Sequence, residues 1–410
     1  MEKALNTVLL NELSERYGES FYLLDSARFE QSFRELDAAF RRYYPNFRIA
    51  YSYKTNYTPR LVRVVDRLGG WAEVVSDMEL EIALRSGVEP RRIVWNGPVK
   101  DAEKAVGLLS AGGLVNIDSL DELKAVCALA RRDPGTRLGI GLRCSYDVGD
   151  GVISRFGFDA QGEDFNTALG LIGETPNLYL RALQVHFARR DPRFWTERAS
   201  GMLRIYDRVA EEYGMRPEIL DLGGGIFGRM PECLRAQLGV GEVCFDDYAS
   251  RAAKLFAEHF GTQTDSPTLF IEPGTALAGD CMRFVTKVKT IKTVRGKVFA
   301  TTVGSQKNIS MSGVNPPLEI VPGGGEQKHY DGLDIVGFTC IEGDILQKNY
   351  CGELAVGDYV VIGNCGSYSI VMKPPFILPN FPVLDIGRKE PELIKREERF
   401  EDLFETYFFS

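Results

Sequence analysis

A small set of residues has the types and spacing to do chemistry. Lys54 sits in "YSYKTNYTP" (51–59), directly after an apolar, tyrosine-rich run. His186 follows "LRALQV", Gly223, Gly224 and Gly225 follow "EILDL", and Glu272 opens "EPG" after "TLFI". Taken singly, each has a bland reading: a solvated charge, a core imidazole, a turn, a strand end. A shared chemistry is more demanding. A lysine in a shielded pocket condenses with an aldehyde to an imine. Consecutive glycines let backbone N–H groups approach a phosphate, with a helix N-terminus behind them. A carboxylate at the pocket base keeps a ring nitrogen protonated, and an imidazole stacks on a ring face. Pyridoxal 5′-phosphate needs a phosphate cradle, an imine lysine and a pyridinium partner together.

The elements that must position this set are readable as an alternation. The apolar runs are "FRIAYSY", "AEVV" (72–75), "RIVWN" (92–96), "LVNID" (114–118), "LGIGLRC" (138–144), "LRALQVHF" (180–187), "EILDLG" (218–223) and "TLFIEPG" (268–274). Between them, segments such as "PRLVRVVDRLGG" and "SLDELKAVCALARR" carry apolar residues at three- and four-residue spacing, which predicts helices. Ser119 or Asp118 is the N-cap candidate of the last of these, with Glu122 three residues beyond Ser119 as a capping box. Strand–helix repeats over about 250 residues predict a (β/α)8 barrel, an α/β fold. A doubly wound open sheet is the alternative. In such barrels the chemistry gathers at the C-terminal strand ends. Lys54, Glu73, Asn96, His186, the triple glycine and Glu272 all fall in or just beyond the last part of a run.

After residue 281 the pattern changes. "CMRFVTKVKTIKTV" alternates with period two, and "KVFATTVGS", "GLDIVGFTC" and "GDYVVIGN" are short β-rich runs between glycines. This predicts an antiparallel β-barrel or sandwich domain. "FYLLD" (21–25) reads as a strand joining that domain. The expected organisation is a cofactor-binding barrel over 26–280 and a β domain made of 1–25 and 281–410.

Composition bounds the partners. The 410 residues are 44% hydrophobic and 26% charged, an ordinary globular mixture. A net charge of −8 argues against nucleic acid. No run approaches the ~18 apolar residues of a spanning helix. "MEKALNTVLLNELSERYGES" reads as an amphipathic helix and not a signal peptide, so a cytoplasmic protein is expected. Eight cysteines form no CxxC pair and only three histidines are present, so no metal site is expected.

With these residues placed, the chain resembles the fold-type III pyridoxal-phosphate decarboxylases, the group of diaminopimelate, ornithine and arginine decarboxylases. "YSYKTNYTP" is similar to the family's Y-x-x-K-[AT]-N-x-x-P. "WAEVVSDMEL" resembles its D-V-x-S-x-x-E-L, with Glu73 in the usual aspartate place. "VHFARR", "LDLGGGIFG", "IEPGTALAG", "GFTCIEGDIL" and "NCGSYS" follow in the family's order. The resemblance implies that Lys54 holds the cofactor as an imine and that His186 stacks on its ring. It implies that Glu272 pairs with the ring nitrogen, and that Gly223, Gly224, Gly225, Gly274 and Tyr368 bind the phosphate. Cys340 would protonate the α-carbon after carbon dioxide leaves, reaching into the partner subunit's site. The implied partners are an amino-acid substrate and a second copy of the chain in a homodimer, with no membrane involved.

The departures from the family pattern fall on substrate reading. Ile341 stands where an acidic residue usually grips the distal amine, with Glu342 one step along and Asp344 beyond. Thr275 replaces the arginine of EPGR, Arg189 replaces a serine and is a candidate cofactor contact, and Lys307 and Asn308 are candidate polar readers. The expected activity is decarboxylation of an amino acid or amino-acid conjugate. The rival readings are a racemase on the same fold and a non-catalytic, cofactor-binding regulator of a related decarboxylase.

Overall fold

The structure, a computed structural model, describes residues 5–261, 266–309, 314–373 and 375–409. The chain divides into two compact units. One holds Glu30–Gly228 with Glu242–Leu277; the other holds Met1–Phe29, Arg229–Gly241 and Ala278–Ser410.

The first unit is the barrel. Its strands are β1 (Phe47–Ser52), β2 (Trp71–Val74), β3 (Ile93–Trp95), β4 (Leu114–Ile117), β5 (Leu138–Ser145), β6 (Leu178–Val185), β7 (Ile219–Asp221) and β8 (Thr268–Ile271). Each pairs in parallel with the next, and β8 pairs back onto β1 through Leu269 opposite Phe47. That last pairing closes the sheet and removes the open doubly wound alternative. Both faces of these strands are covered, so they read as apolar runs, as buried parallel strands must.

The helix after β4 starts at the expected Ser119 cap, with one variation. Ser119 Oγ accepts from Glu122 N at the start of Leu120–Ala130, but Glu122 Oε2 reaches back to the N–H of Asp118, 2.8 Å away. Helix Asp77–Arg85 begins in the same way: Ser76 caps Glu79 N, and Glu79 Oε2 accepts from Val75 N at 2.8 Å. In both helices the reciprocal bond lands one residue before the cap, which draws the carboxylate inward toward the strand end.

The second unit is a mixed sheet. Strand Ser20–Leu24 lies between Met282–Val294, antiparallel, and Val383–Asp385, parallel, so the N-terminal strand is part of this sheet. Most pairings are antiparallel; Phe299–Thr301 also runs parallel to Asp334–Val336. The N-terminal helix Thr7–Tyr17, capped by Asn6, seats Leu10 and Leu13 on Phe21, Leu23, Val285 and Val361. The segment Arg229–Gly241, inside the range read as barrel from sequence, groups with this unit. Its helix Glu232–Leu238 is tied there by Gln237, which donates to Asn315 O and accepts from Asn315 N, each at 2.9 Å.

Candidate active site

Two layers inside the barrel define the site. The lower is apolar: Ala50, Val94, Leu114, Ala182, Ile219 and Phe270 pack together, with Trp71 against them. Side chains alternate across a strand, so the residue two places on faces the same way. Those residues are Ser52, Asn96, Asn116, Gln184, Asp221 and Glu272, with Glu73 after Trp71. Every one is polar and every one is buried. In β5, Gly141 leaves the room that Asn116 needs, since a Cβ there would stand 1.8 Å from Asn116 Oδ1.

A buried polar layer persists only if its groups satisfy one another. Here they form a relay. Ser52 Oγ donates to Glu73 Oε2 at 2.6 Å, and Asn96 Nδ2 donates to Glu73 Oε1 at 3.0 Å and Glu272 Oε1 at 2.5 Å. Asn116 Nδ2 donates to Asn96 Oδ1 at 2.8 Å, which fixes the Asn96 amide with its nitrogen toward the acids. Gln184 Nε2 donates to both oxygens of Glu272, at 3.3 and 3.4 Å. Lys54 follows β1 in a short 3-10 turn, Tyr53–Thr55. Its ammonium pairs with Glu73 and donates to Ser52 Oγ at 3.2 Å, while about a third of its side chain stays exposed. A lysine so placed is held by a buried acid and open to a ligand from one side.

The glycines crowd the strand ends. Gly223 has φ +69°, and a Cβ there would meet Val185 O at 2.2 Å. A Cβ on Gly224 would stand 2.5 Å from Glu272 O, and one on Gly274 would stand 1.9 Å from Thr55 Oγ1. The N–H of Gly223 goes to Asp221 Oδ1 at 2.8 Å, and that of Gly224 to His186 Nδ1 at 3.0 Å. Accepting at Nδ1 puts the imidazole proton on Nε2. Burial, then the charges of Lys54, Arg198, Arg143 and Arg190, hold His186 well below its usual range, so the ring is neutral.

Behind the loop lies Arg198, fully buried. Its guanidinium donates to Gly224 O at 2.6 Å, Leu222 O at 3.3 Å, Arg189 O at 3.2 Å and Phe187 O at 3.4 Å, and it stacks over Trp195. It staples the glycine loop to the end of β6. Arg189 contributes its carbonyl to this staple and is exposed.

The remaining predicted residues belong to the second unit. Cys340, Ile341 and Glu342 are exposed in a turn between strands Lys328–Val336 and Ile345–Leu354. Asp344 is buried beneath that turn. Its carboxylate accepts from Ser305 Oγ, Gln306 N, Thr339 N and Thr339 Oγ1, so it is spent on shaping the loop. Asn308 is buried as well, its Oδ1 accepting from Ser305 N at 2.9 Å. Lys307 is exposed, and Tyr368 is half-buried with φ +56°.

Sequence reasoning missed Ser52, Asn116, Gln184, Asp221 and Arg198 as site-supporting residues. For the strand residues the signal was present: one polar residue interrupts each apolar run two places beyond a core position. Arg198, on helix Trp195–Tyr213, carried no such mark.

The geometry fits pyridoxal phosphate: a strand-end lysine, buried acids below it, a neutral imidazole and a glycine loop pressed on the strand ends. The protein-family description "Pyridoxal-dependent decarboxylase, pyridoxal binding domain" matches residues 28–279. A diaminopimelate decarboxylase of Methanothermobacter thermautotrophicus is 25% identical, over 96% of this chain and 92% of that protein. One from Corynebacterium efficiens is 28% identical, over 97% and 89%. Among solved structures, a diaminopimelate decarboxylase from Helicobacter pylori complexed with L-lysine superposes with a TM-score of 0.81 at 23% identity, covering 96% of this chain and 98% of that one. A lysine/ornithine decarboxylase from Vibrio vulnificus complexed with cadaverine gives 0.74 at 20% identity, over 93% and 98%.

Proposed function

The chain belongs to the pyridoxal-dependent decarboxylase family, and on that premise we propose that it removes the α-carboxylate of an amino acid or amino-acid conjugate. One observation carries the reading. Lys54 pairs with Glu73 at the barrel mouth, and a single amide, Asn96, joins Glu73 to the buried carboxyl of Glu272. Bound pyridoxal phosphate supplies an electron sink for the charge left when carbon dioxide departs. The chain's residues do the rest. Lys54 would hold the cofactor through its aldehyde carbon, and Glu73 and Ser52 would receive the lysine amine while the substrate amine occupies that carbon. Glu272 would hold the ring nitrogen protonated, and the neutral His186 ring would support the ring face. N–H groups of the loop from Gly225 onward, with Gly274 and Tyr368, would hold the phosphate, since those of Gly223 and Gly224 are already committed. Cys340 gives the α-carbon its proton in the partner's site of a homodimer.

Substrate choice follows from Ile341. An apolar side chain beside the proton donor disfavours an unpaired distal ammonium, whose burial is costly. The substrate class is an amino acid whose distal group is neutral or acylated. Eight free cysteines are consistent with a reducing, cytoplasmic setting.

The test is carbon dioxide release from a panel of L- and D-amino acids by purified, cofactor-loaded enzyme. Interconversion of enantiomers without carbon dioxide would indicate a racemase; absence of any turnover would indicate a regulator. Ordinary rates on meso-diaminopimelate would remove the narrowing at Ile341 and leave the decarboxylase reading in place.

A further inference from the structure

Asp221 has no part in the chemistry just described, yet it sits at the centre of the polar layer. Its side chain is fully buried at the end of β7. Oδ1 accepts from Gly223 N at 2.8 Å. Oδ2 receives no hydrogen bond from any described residue. Glu272 stands in the same buried layer on the adjacent strand β8, two places beyond Phe270, which pairs with Asp221, and the two carboxyls act on each other's charge. Two buried carboxyl groups on neighbouring strands repel each other's charge, which favours the state in which one of them keeps its proton.

The surroundings decide which of the two carries it. Glu272 accepts from Asn96 at 2.5 Å and from Gln184 at 3.3 and 3.4 Å. Asp221 accepts only the one backbone N–H. Donors favour the charged form, so the charge belongs on Glu272 and the proton on Asp221. The other ionisable groups agree. Glu73 repels charge on both acids, and Lys54 favours charge on Glu272. Arg198, from the helix behind the loop, senses Glu272, and the neutral His186 adds no charge. Burial drives Asp221 well above the usual carboxylate range and raises Glu272 less decisively.

We propose that Asp221 is a neutral positioning acid: it keeps its proton at working pH and donates it as a hydrogen bond to Glu272, so that Glu272 remains ionised for the cofactor's ring nitrogen. The role of Glu272 rests on the function proposed above; the protonation of Asp221 does not. One buried acid stays neutral so that its neighbour can stay charged. No bond is broken, and the proton stays within the pair.

The experiment compares wild type, Asp221→Asn, Asp221→Ala and Glu272→Gln as holoenzymes. Asparagine is the isostere of the neutral acid: its oxygen can accept from Gly223 and its nitrogen can donate to Glu272. Infrared spectra at neutral pH should show a protonated-carboxyl band in wild type that Asp221→Asn removes and Glu272→Gln shifts. Cofactor affinity, read by the visible absorbance of the bound form, should fall by less than about threefold in Asp221→Asn and by about tenfold or more in Asp221→Ala. The acidic limb of the absorbance–pH profile should move up by about one unit in Asp221→Ala and stay in place in Asp221→Asn. If no band disappears in Asp221→Asn, or if that variant loses affinity as fully as Asp221→Ala, Asp221 is ionised and the inference is overturned. If Asp221→Ala does not fold, the Asn spectrum and affinity decide alone. If wild type binds no cofactor, the proposed function fails, while the infrared band still decides the proton.

Discussion

Asn96 Nδ2 lies 2.5 Å from Glu272 Oε1, and the same nitrogen donates to Glu73 Oε1 at 3.0 Å. One amide therefore holds two buried acids in register below Lys54. Replacing Asn96 with leucine leaves both carboxyls short of a donor where water cannot substitute. The expected loss is about 2–4 kcal/mol in urea unfolding, with weaker cofactor binding. Asn116→Ala, which only releases the Asn96 amide to turn, should cost about 1 kcal/mol. Equal losses would mean that the relay does not run in the direction described.

Lys54→Ala removes the lysine that pairs with Glu73 in the polar layer. The visible absorbance of the bound cofactor and turnover should vanish together, while the far-ultraviolet spectrum is unchanged. A variant that kept both would sink the assignment of Lys54.

Gly224→Ala forces a Cβ to within 2.5 Å of Glu272 O. Backbone, not a flexible side chain, stands in the way, so the loop must move. Cofactor affinity should drop about tenfold or more, with a stability loss of about 1–3 kcal/mol. Gly107→Ala is the contrast: it lies inside helix Ala102–Ser110 with nothing near its Cβ, and should gain up to about 1 kcal/mol.

Arg198→Met keeps the stem of the side chain and removes the charge that serves four carbonyls. Stripped of these donors, the glycine loop loses its tie to β6. Thermal unfolding should shift down by an amount equivalent to about 3 kcal/mol or more, and cofactor release should quicken. Unchanged release kinetics would show that the loop is held without Arg198.

Glu79 gives a pH signature. Burial pushes its carboxyl from 4.5 up to about 7, against the Val75 N–H that favours the charged form. A group raised in the folded state contributes stability below its unfolded value, and that stability is lost as pH rises through the folded value. Between pH 4.5 and about 7 this carboxyl alone should cost about 3 kcal/mol. Glu79→Gln keeps an acceptor for Val75 and removes the titration, so its stability should fall less over that window than wild type's. Parallel stability–pH curves would place the Glu79 charge elsewhere.

Much of this was legible in the chain. The apolar runs of β1 to β8 are long enough and regular enough to specify buried parallel strands, and the helices between them announce their caps. Lys54, His186, the triple glycine and Glu272 stood out because they follow those runs directly. The carboxyl-terminal β pattern was equally plain in its period-two alternation. The grouping of Arg229–Gly241 with the β unit was not legible, because its ties, such as Gln237 to Asn315, join residues far apart in sequence.

The sequence by itself determined which strands form and which residues lie at their ends, since alternation and apolar length are local properties. Only the tertiary structure decided that Ser52, Glu73, Asn96, Asn116, Gln184, Asp221 and Glu272 make one layer. Each is a single polar residue in an apolar run, and nothing within its own strand says what will satisfy it. Closing β8 onto β1 brings the seven to one height in the barrel. There a donor from one strand meets an acceptor from another, and the proton between Asp221 and Glu272 acquires a definite owner.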